Sequence, residues 1–187
     1  MDSGSIDFID WDNLGVDVVE TRSMYYATCH KKKEWEEGNI IPYGTIELSP
    51  AAGVLNYGQG VFEGTKAFRT MKDRVILFRP ELNATRMGSS TRRLCIPEIG
   101  KDFFLSAIEQ TLIDNIDYTP PLGKGSLYIR PIVWGTGPAL GVKPVDEYTF
   151  IVFVSPVGSY FKDNKKRLNL LVTEDYHRAA PKGIGNA

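Results

Sequence analysis

Apolar residues in this chain recur with two periods, and the period changes along the sequence. Residues 22–29 (R-S-M-Y-Y-A-T-C) are rich in aromatics and predict a β-strand, with a second short strand near residues 44–48. Residues 66–70 and 75–78 flank M-K-D-R, which predicts a hairpin with a four-residue loop. Pro80 opens a helical stretch, because proline is tolerated in a first helical turn. That helix is expected to reach about Leu94 and to stop before Pro97. A second helix is expected from Asp102, a good N-cap, with Phe103, Phe104, Ala107, Ile108, Leu112 and Ile113 on one face. Residues 126–134 (S-L-Y-I-R-P-I-V-W) and 148–155 (Y-T-F-I-V-F-V-S) are strongly β in character. Pro131 implies either an edge position or a bulge in the first of them.

These elements predict a small α+β domain over residues 1–155. The polar, glycine-bearing run P-V-G-S-Y-F-K-D-N-K-K-R, residues 156–167, reads as an interdomain linker. One more strand is predicted over residues 168–173, before the glycine-rich ending A-A-P-K-G-I-G-N-A. A single strand cannot bury a core by itself, so residues 168–187 are expected to be the start of a truncated large domain that is otherwise missing.

Composition narrows the partners. With a net charge of −1 over 187 residues, nothing favours nucleic acid or an anionic membrane. The one basic run, Lys31 to Lys33, is followed at once by Glu34, Glu36 and Glu37 and reads as a solvated loop or hairpin tip. Cys29 and Cys95 are too few for a disulfide framework or a zinc site, which favours a reducing compartment. The acidic start M-D-S-G-S-I-D-F-I-D predicts neither a signal peptide nor an Arg-rich transit peptide. The longest apolar run, residues 150–154, is too short for a membrane span. The expectation is a cytoplasmic protein, and an organelle form stays compatible with it. His30 and His177 lack the spacing of a metal site or a triad and read as surface or capping residues.

Three strings carry candidate chemistry. N-Y-G-Q-G-V-F-E-G-T-K-A-F-R, from Asn56 to Arg69, packs glycines among Tyr57, Phe62 and Phe68 with one acid, Glu63. Such backbone turns tightly or approaches a ligand closely, and the aromatics would wall a pocket; a purely structural loop is the competing reading. In F-R-P-E-L-N-A-T-R, Arg86 follows Arg79 by two turns on the same helix face, and its planar guanidinium suits a phosphate. A solvated surface charge is the alternative for Arg86, and Arg79 is assigned to structure. In Y-I-R-P, Tyr128 and Arg130 point to one face of a strand. An arginine amid Leu127, Ile129, Ile132 and Val133 needs an anion, either a protein carboxylate or one from a substrate.

Together these strings resemble the branched-chain aminotransferases, pyridoxal-phosphate enzymes of fold type IV with the pattern Y-x-x-x-x-F-E-G-x-K-A-F. The likeness spans nearly all 187 residues. It points away from the D-amino-acid aminotransferases and aminodeoxychorismate lyases of the same fold class. The resemblance implies that Arg86 binds the phosphate of pyridoxal 5'-phosphate and that Tyr128 and Arg130 recognise the substrate α-carboxylate. Tyr57, Phe62, Leu140 and Val142 would wall the aliphatic side-chain pocket. The G-T-G-P-A-L-G-V loop would reach the partner subunit's site, making a homodimer the working unit; on the residues alone, Leu140 and Val142 read as anchors of that loop. Tyr160 falls in the interdomain loop that the family folds over its substrate.

Two departures stand out. The family's F-G-x-x-x-T-D appears as V-D-V-V-E-T-R, so Val16 replaces a phenylalanine that touches substrate and Arg22 replaces the acid. The family's lysine that bonds covalently to the cofactor would follow Ala187, and Lys182 stands upstream of the glycine-rich turn. The expected function is amino transfer between leucine, isoleucine or valine and 2-oxoglutarate, with this chain by itself inactive. The competing expectation is a non-catalytic truncated homologue: a dimerisation or interaction module pairing with a full-length relative, or a pseudogene product.

Overall fold

The computed structural model describes residues 6–30, 34–160, 169–175, 179 and 181. Lys31 to Lys33, residues 161–168, His177, Lys182 and the rest of the tail lie outside them. The strands are β1 (Ser23–His30), β2 (Asn39–Pro42), β3 (Gly60–Phe62), β4 (Thr65–Arg69), β5 (Val75–Leu77), β6 (Ser126–Gly135) and β7 (Glu147–Val157). A short α1 (Gly53–Tyr57) precedes β3, and α2 (Pro80–Arg93) and α3 (Lys101–Asp114) lie between β5 and β6. The sheet runs β2–β1–β7–β6–β4–β5 with antiparallel pairing throughout, and β3 pairs with β6 beside β4. This is the α+β architecture expected.

Alternation decides what each face of the sheet meets. On β6, Leu127, Ile129 and Val133 are buried, while Tyr128, Arg130, Ile132 and Trp134 are only partly covered. The buried set joins Ala84 and Met87 of α2 and Phe104, Ala107, Ile108 and Leu112 of α3 in one core. At its end, Tyr25, Trp35, Phe103 and Phe104 surround Phe150 with ring centroids 6.0–6.2 Å away. Edge-on and offset rings at that separation add to their area burial.

Pro131 sits in an interior strand, not at an edge. Gly60↔Trp134, Phe62↔Ile132 and Thr65↔Ile129 share one register, so β3 and β4 are two halves of a strand interrupted at Glu63 and Gly64. The Glu63 amide donates to the Pro131 carbonyl at 2.8 Å. In an antiparallel ladder a residue's nitrogen and oxygen face the same neighbour, so the missing N–H of Pro131 faces that interruption. The lost bond falls where the partner strand is already broken.

Other expectations need correcting. The second strand is Asn39–Pro42 rather than 44–48, because Tyr25 pairs with Ile40 and its hydroxyl accepts the Gly38 amide at 3.1 Å. Gly100, not Asp102, precedes α3; Asp102 lies in the first turn, where a negative charge suits the helix dipole. Ile113 is exposed, since nine residues beyond Phe104 is about two and a half turns, the opposite side of the helix. Thr111 takes the buried place and donates its hydroxyl to the Ala107 carbonyl at 2.7 Å. β7 runs to Val157, past the expected end at Ser155. The strand expected over 168–173 is not formed at residues 169–173, where Leu170, Leu171 and Val172 are almost fully exposed.

Cys29 is buried, Cys95 is exposed, and neither forms a disulfide. Arg22 acquires a structural role. It donates to the Asp114 carbonyl at 2.5 Å and pairs with Asp117 at 3.1 Å, tying the start of β1 to the C-terminal end of α3.

Candidate active site

The half-covered face of β6 forms one wall of a cavity of about 400 Å³. Tyr128 and Arg130 line it from β6, Lys66 from β4, Tyr160 from beyond β7, and Val16 and Asp17 from the segment before β1. Arg130 donates from Nη2 to the Tyr128 hydroxyl at 3.0 Å. Its guanidinium lies 4.5 Å from the Phe62 ring centroid and 5.2 Å from that of Tyr128, in cation–π range. Its Nε is buried and has no hydrogen-bond partner. Of the two anions open to Arg130 from the sequence, the protein carboxylate is not supplied by the described residues: its polar contact among them is the Tyr128 hydroxyl. A partly covered cation on a cavity wall, with no acid beside it among the described residues, is set up to receive an anionic group.

Gly64 makes this wall possible. A Cβ there would run into the Tyr128 hydroxyl and stand 3.0 Å from its Cζ. The glycine thus gives the tyrosine ring room beside the strand break.

Glu63, which the sequence marked only as the lone acid of its stretch, faces the opposite way. Its side chain is 3% exposed, and the Arg86 side chain spans it sidewise: Nε to Oε1 at 2.5 Å and Nη2 to Oε2 at 2.6 Å. Asn83, one turn earlier on α2, donates to Oε2 at 2.8 Å and to the Gly64 carbonyl at 3.2 Å. Hydrogen bonding and the opposite charge of Glu63 push the Arg86 guanidinium still further towards its protonated form. Arg86 is 65% exposed, and only Nε and Nη2 are engaged among the described residues. The end-on edge carrying Nη1 therefore suits a phosphate, and in that respect Arg86 fits a phosphorylated cofactor. A signal for Glu63 was present in the sequence. Strand alternation puts it on the side of Val61 and Ala67, where a buried acid requires a cation, and N-x-x-R on α2 supplies one.

The remaining candidates form a separate group. The Tyr57 hydroxyl donates to the Leu140 carbonyl, Gly53 N to Gly137 O at 3.2 Å, and Ala139 N to Ala51 O at 2.9 Å. Gly58, at φ 64°, caps α1 and lets the chain turn into β3. These bonds fasten α1 to the loop after β6. The Leu140 and Val142 side chains nevertheless stand 89% and 90% exposed and do not pack into the core of the described residues. Tyr57, Phe62, Leu140 and Val142 do not line the Arg130 cavity; Phe62 stacks on the Arg130 guanidinium instead. His30 is a surface residue 3.9 Å from Glu147, and among the described residues no group of acids, cysteines and histidines is suited to hold a metal. No helix of the described residues is long and apolar enough to cross a membrane.

No protein-family model matches the chain. Among curated proteins it is 51% identical over 177 residues to the chloroplastic branched-chain-amino-acid aminotransferase 2 of Arabidopsis thaliana, covering 95% of this chain and 46% of that protein. It is 48% identical to the mitochondrial branched-chain amino acid aminotransferase 1 of Humulus lupulus, covering 95% and 45%. The relatives it matches over 95% of its length are branched-chain aminotransferases. Solved structures agree on the fold. The Escherichia coli branched-chain amino acid aminotransferase superposes with a TM-score of 0.60 at 21% identity, over 75% of this chain and 41% of that one. The enzyme of the archaeon Thermoproteus uzoniensis gives 0.56 at 23%, over 75% and 43%. The family is one of pyridoxal-phosphate transaminases of fold type IV, as the sequence strings implied, and the chain spans about half the length of the curated relatives it matches.

Proposed function

We propose that this chain contributes the carboxylate- and phosphate-binding part of a pyridoxal-phosphate-dependent branched-chain aminotransferase, which transfers an amino group between leucine, isoleucine or valine and 2-oxoglutarate. The observation that carries this reading is Arg130 on the wall of the 400 Å³ cavity, bonded to the Tyr128 hydroxyl and paired with no acid among the described residues. Arg130 and Tyr128 would hold the α-carboxylate that every amino- and 2-oxo-acid substrate shares. That contact fixes the orientation of the carbon that exchanges a proton. Arg86 would hold the cofactor phosphate by its end-on edge. When bound, the cofactor supplies an electron sink for the substrate carbon. Tyr160 would exclude water from the cavity, while Phe62 would steady the Arg130 guanidinium on which it stacks.

The test is direct binding of 4-methyl-2-oxopentanoate, measured by calorimetry. Arg130→Ala is expected to weaken it at least about tenfold, the lower range for a hydrogen bond to a charged group. Equal binding by wild type and variant would refute the assignment.

The assembly is part of the same proposal. Leu140 and Val142, fully presented on a loop fastened to α1, are best explained as apolar contacts with a second copy, where with Tyr57 they would help wall an aliphatic pocket. A dimer with a longer relative would use the same surface, which keeps a non-catalytic interaction module as the second reading. Location follows composition, in the cytoplasm; the chloroplast or mitochondrion named for the relatives is the alternative, and cell fractionation decides between them.

A further inference from the structure

Arg86 is mostly exposed, and a free arginine at such a position samples many rotamers. Here three features remove that freedom. Glu63 is buried at the point where β3 and β4 separate, and the Glu63 amide is tied to Pro131 O, which fixes the backbone carrying the carboxylate. Asn83 bonds both that carboxylate and the Gly64 carbonyl, locking α2 against the break. Arg86 then meets the carboxylate side-on through Nε and Nη2 together, the geometry in which a planar guanidinium has no rotation left.

We propose that Glu63 is a positioning residue for anion binding: it holds the side-on edge of Arg86 so that the end-on edge is presented, pre-oriented, to a phosphate monoester. The proposal rests on the reading of Arg86 as the phosphate-holding residue. Two effects of Glu63 oppose each other. Its charge repels a phosphate, while its clamp removes the ordering cost of a long side chain. The repulsion acts from behind Arg86, whose own positive charge lies between and offsets it at close range. The clamp acts at full strength. Positioning should therefore prevail.

The sign of one substitution separates the two. Glu63→Gln keeps the shape and one acceptor oxygen and removes the charge that holds the guanidinium. Dissociation constants for pyridoxal phosphate and for pyridoxal, which lacks the phosphate, are measured by fluorescence titration of the 187-residue chain, with Arg86→Ala as reference. Wild type is expected to prefer the phosphorylated form, Arg86→Ala to lose that preference, and Glu63→Gln to lose about tenfold of it, the equivalent of ordering one arginine. Pyridoxal affinity should stay unchanged in all three, a selectivity that a purely structural role for Glu63 would not produce. If Glu63→Gln leaves the preference intact or raises it while Arg86→Ala abolishes it, positioning is overturned and the phosphate reading of Arg86 survives. If Arg86→Ala leaves the preference unchanged, or wild type has none, the phosphate reading falls and the positioning role falls with it.

Discussion

Replacing Gly64 by alanine probes the substrate wall through a single methyl group. The Gly64 backbone lies outside the left-handed region, so alanine meets no φ penalty and the whole effect is steric. The new Cβ would collide with the Tyr128 hydroxyl and stand 3.0 Å from Cζ, tighter than ordinary carbon contacts. The β3–β4 backbone cannot retreat, because Glu63 N is bonded to Pro131 O and Gly64 O to Asn83. The tyrosine ring must move instead, which breaks its hydrogen bond with Arg130. Overpacking of this kind costs about 1–3 kcal/mol. Because the hydroxyl is the atom struck first, Tyr128→Phe should relieve most of the clash. Urea unfolding of wild type, Gly64→Ala, Tyr128→Phe and the double variant closes a cycle. The expected coupling is about 1–2 kcal/mol, with Gly64→Ala much milder in the phenylalanine background. Additivity to within about 0.3–0.5 kcal/mol would refute the contact as the reason for the glycine.

Burial pushes the Cys29 thiol and the Tyr25 and Tyr148 hydroxyls above their ordinary values of 9.0 and 10.0. The unfolded chain then gives up these protons first, so their contribution to stability is intact below about pH 9 and is lost as pH rises through the folded-state values. Unfolding compared at about pH 8 and pH 10.5 should show the decline, and Tyr148→Phe should make it shallower; a slope the variant leaves untouched argues against Tyr148 as a source. Leu140→Asp should convert a dimer to monomer in sedimentation equilibrium without lowering the monomer's melting temperature, since Leu140 is 89% exposed; an unchanged mass would remove the loop from the interface.

Much of the candidate site was legible in the sequence because it is written locally. Tyr128 and Arg130 share a face by strand alternation alone, and Pro80 fixes the start of the helix that carries Arg86. Glu63 was not assigned because its meaning depends on a partner that only the packing of α2 on the sheet brings within bonding distance. Asp102 misled for a related reason: capping preference ranks residue types, while the helix boundary follows from where the chain leaves Gly100.

The amino-acid order by itself determined the α+β class, the α2 and α3 helices, the hairpin and the two long strands, because apolar period and proline placement act over a few residues. It also carried the strings that mark the family. Tertiary structure alone decided how Pro131 could sit inside a sheet, by setting its missing donor against the break between β3 and β4. It alone left Arg130 with a buried donor and no acid among the described residues, and turned Arg86 onto Glu63. Whether a charge is met or left open is a property of distances between segments remote in sequence, which no local pattern records.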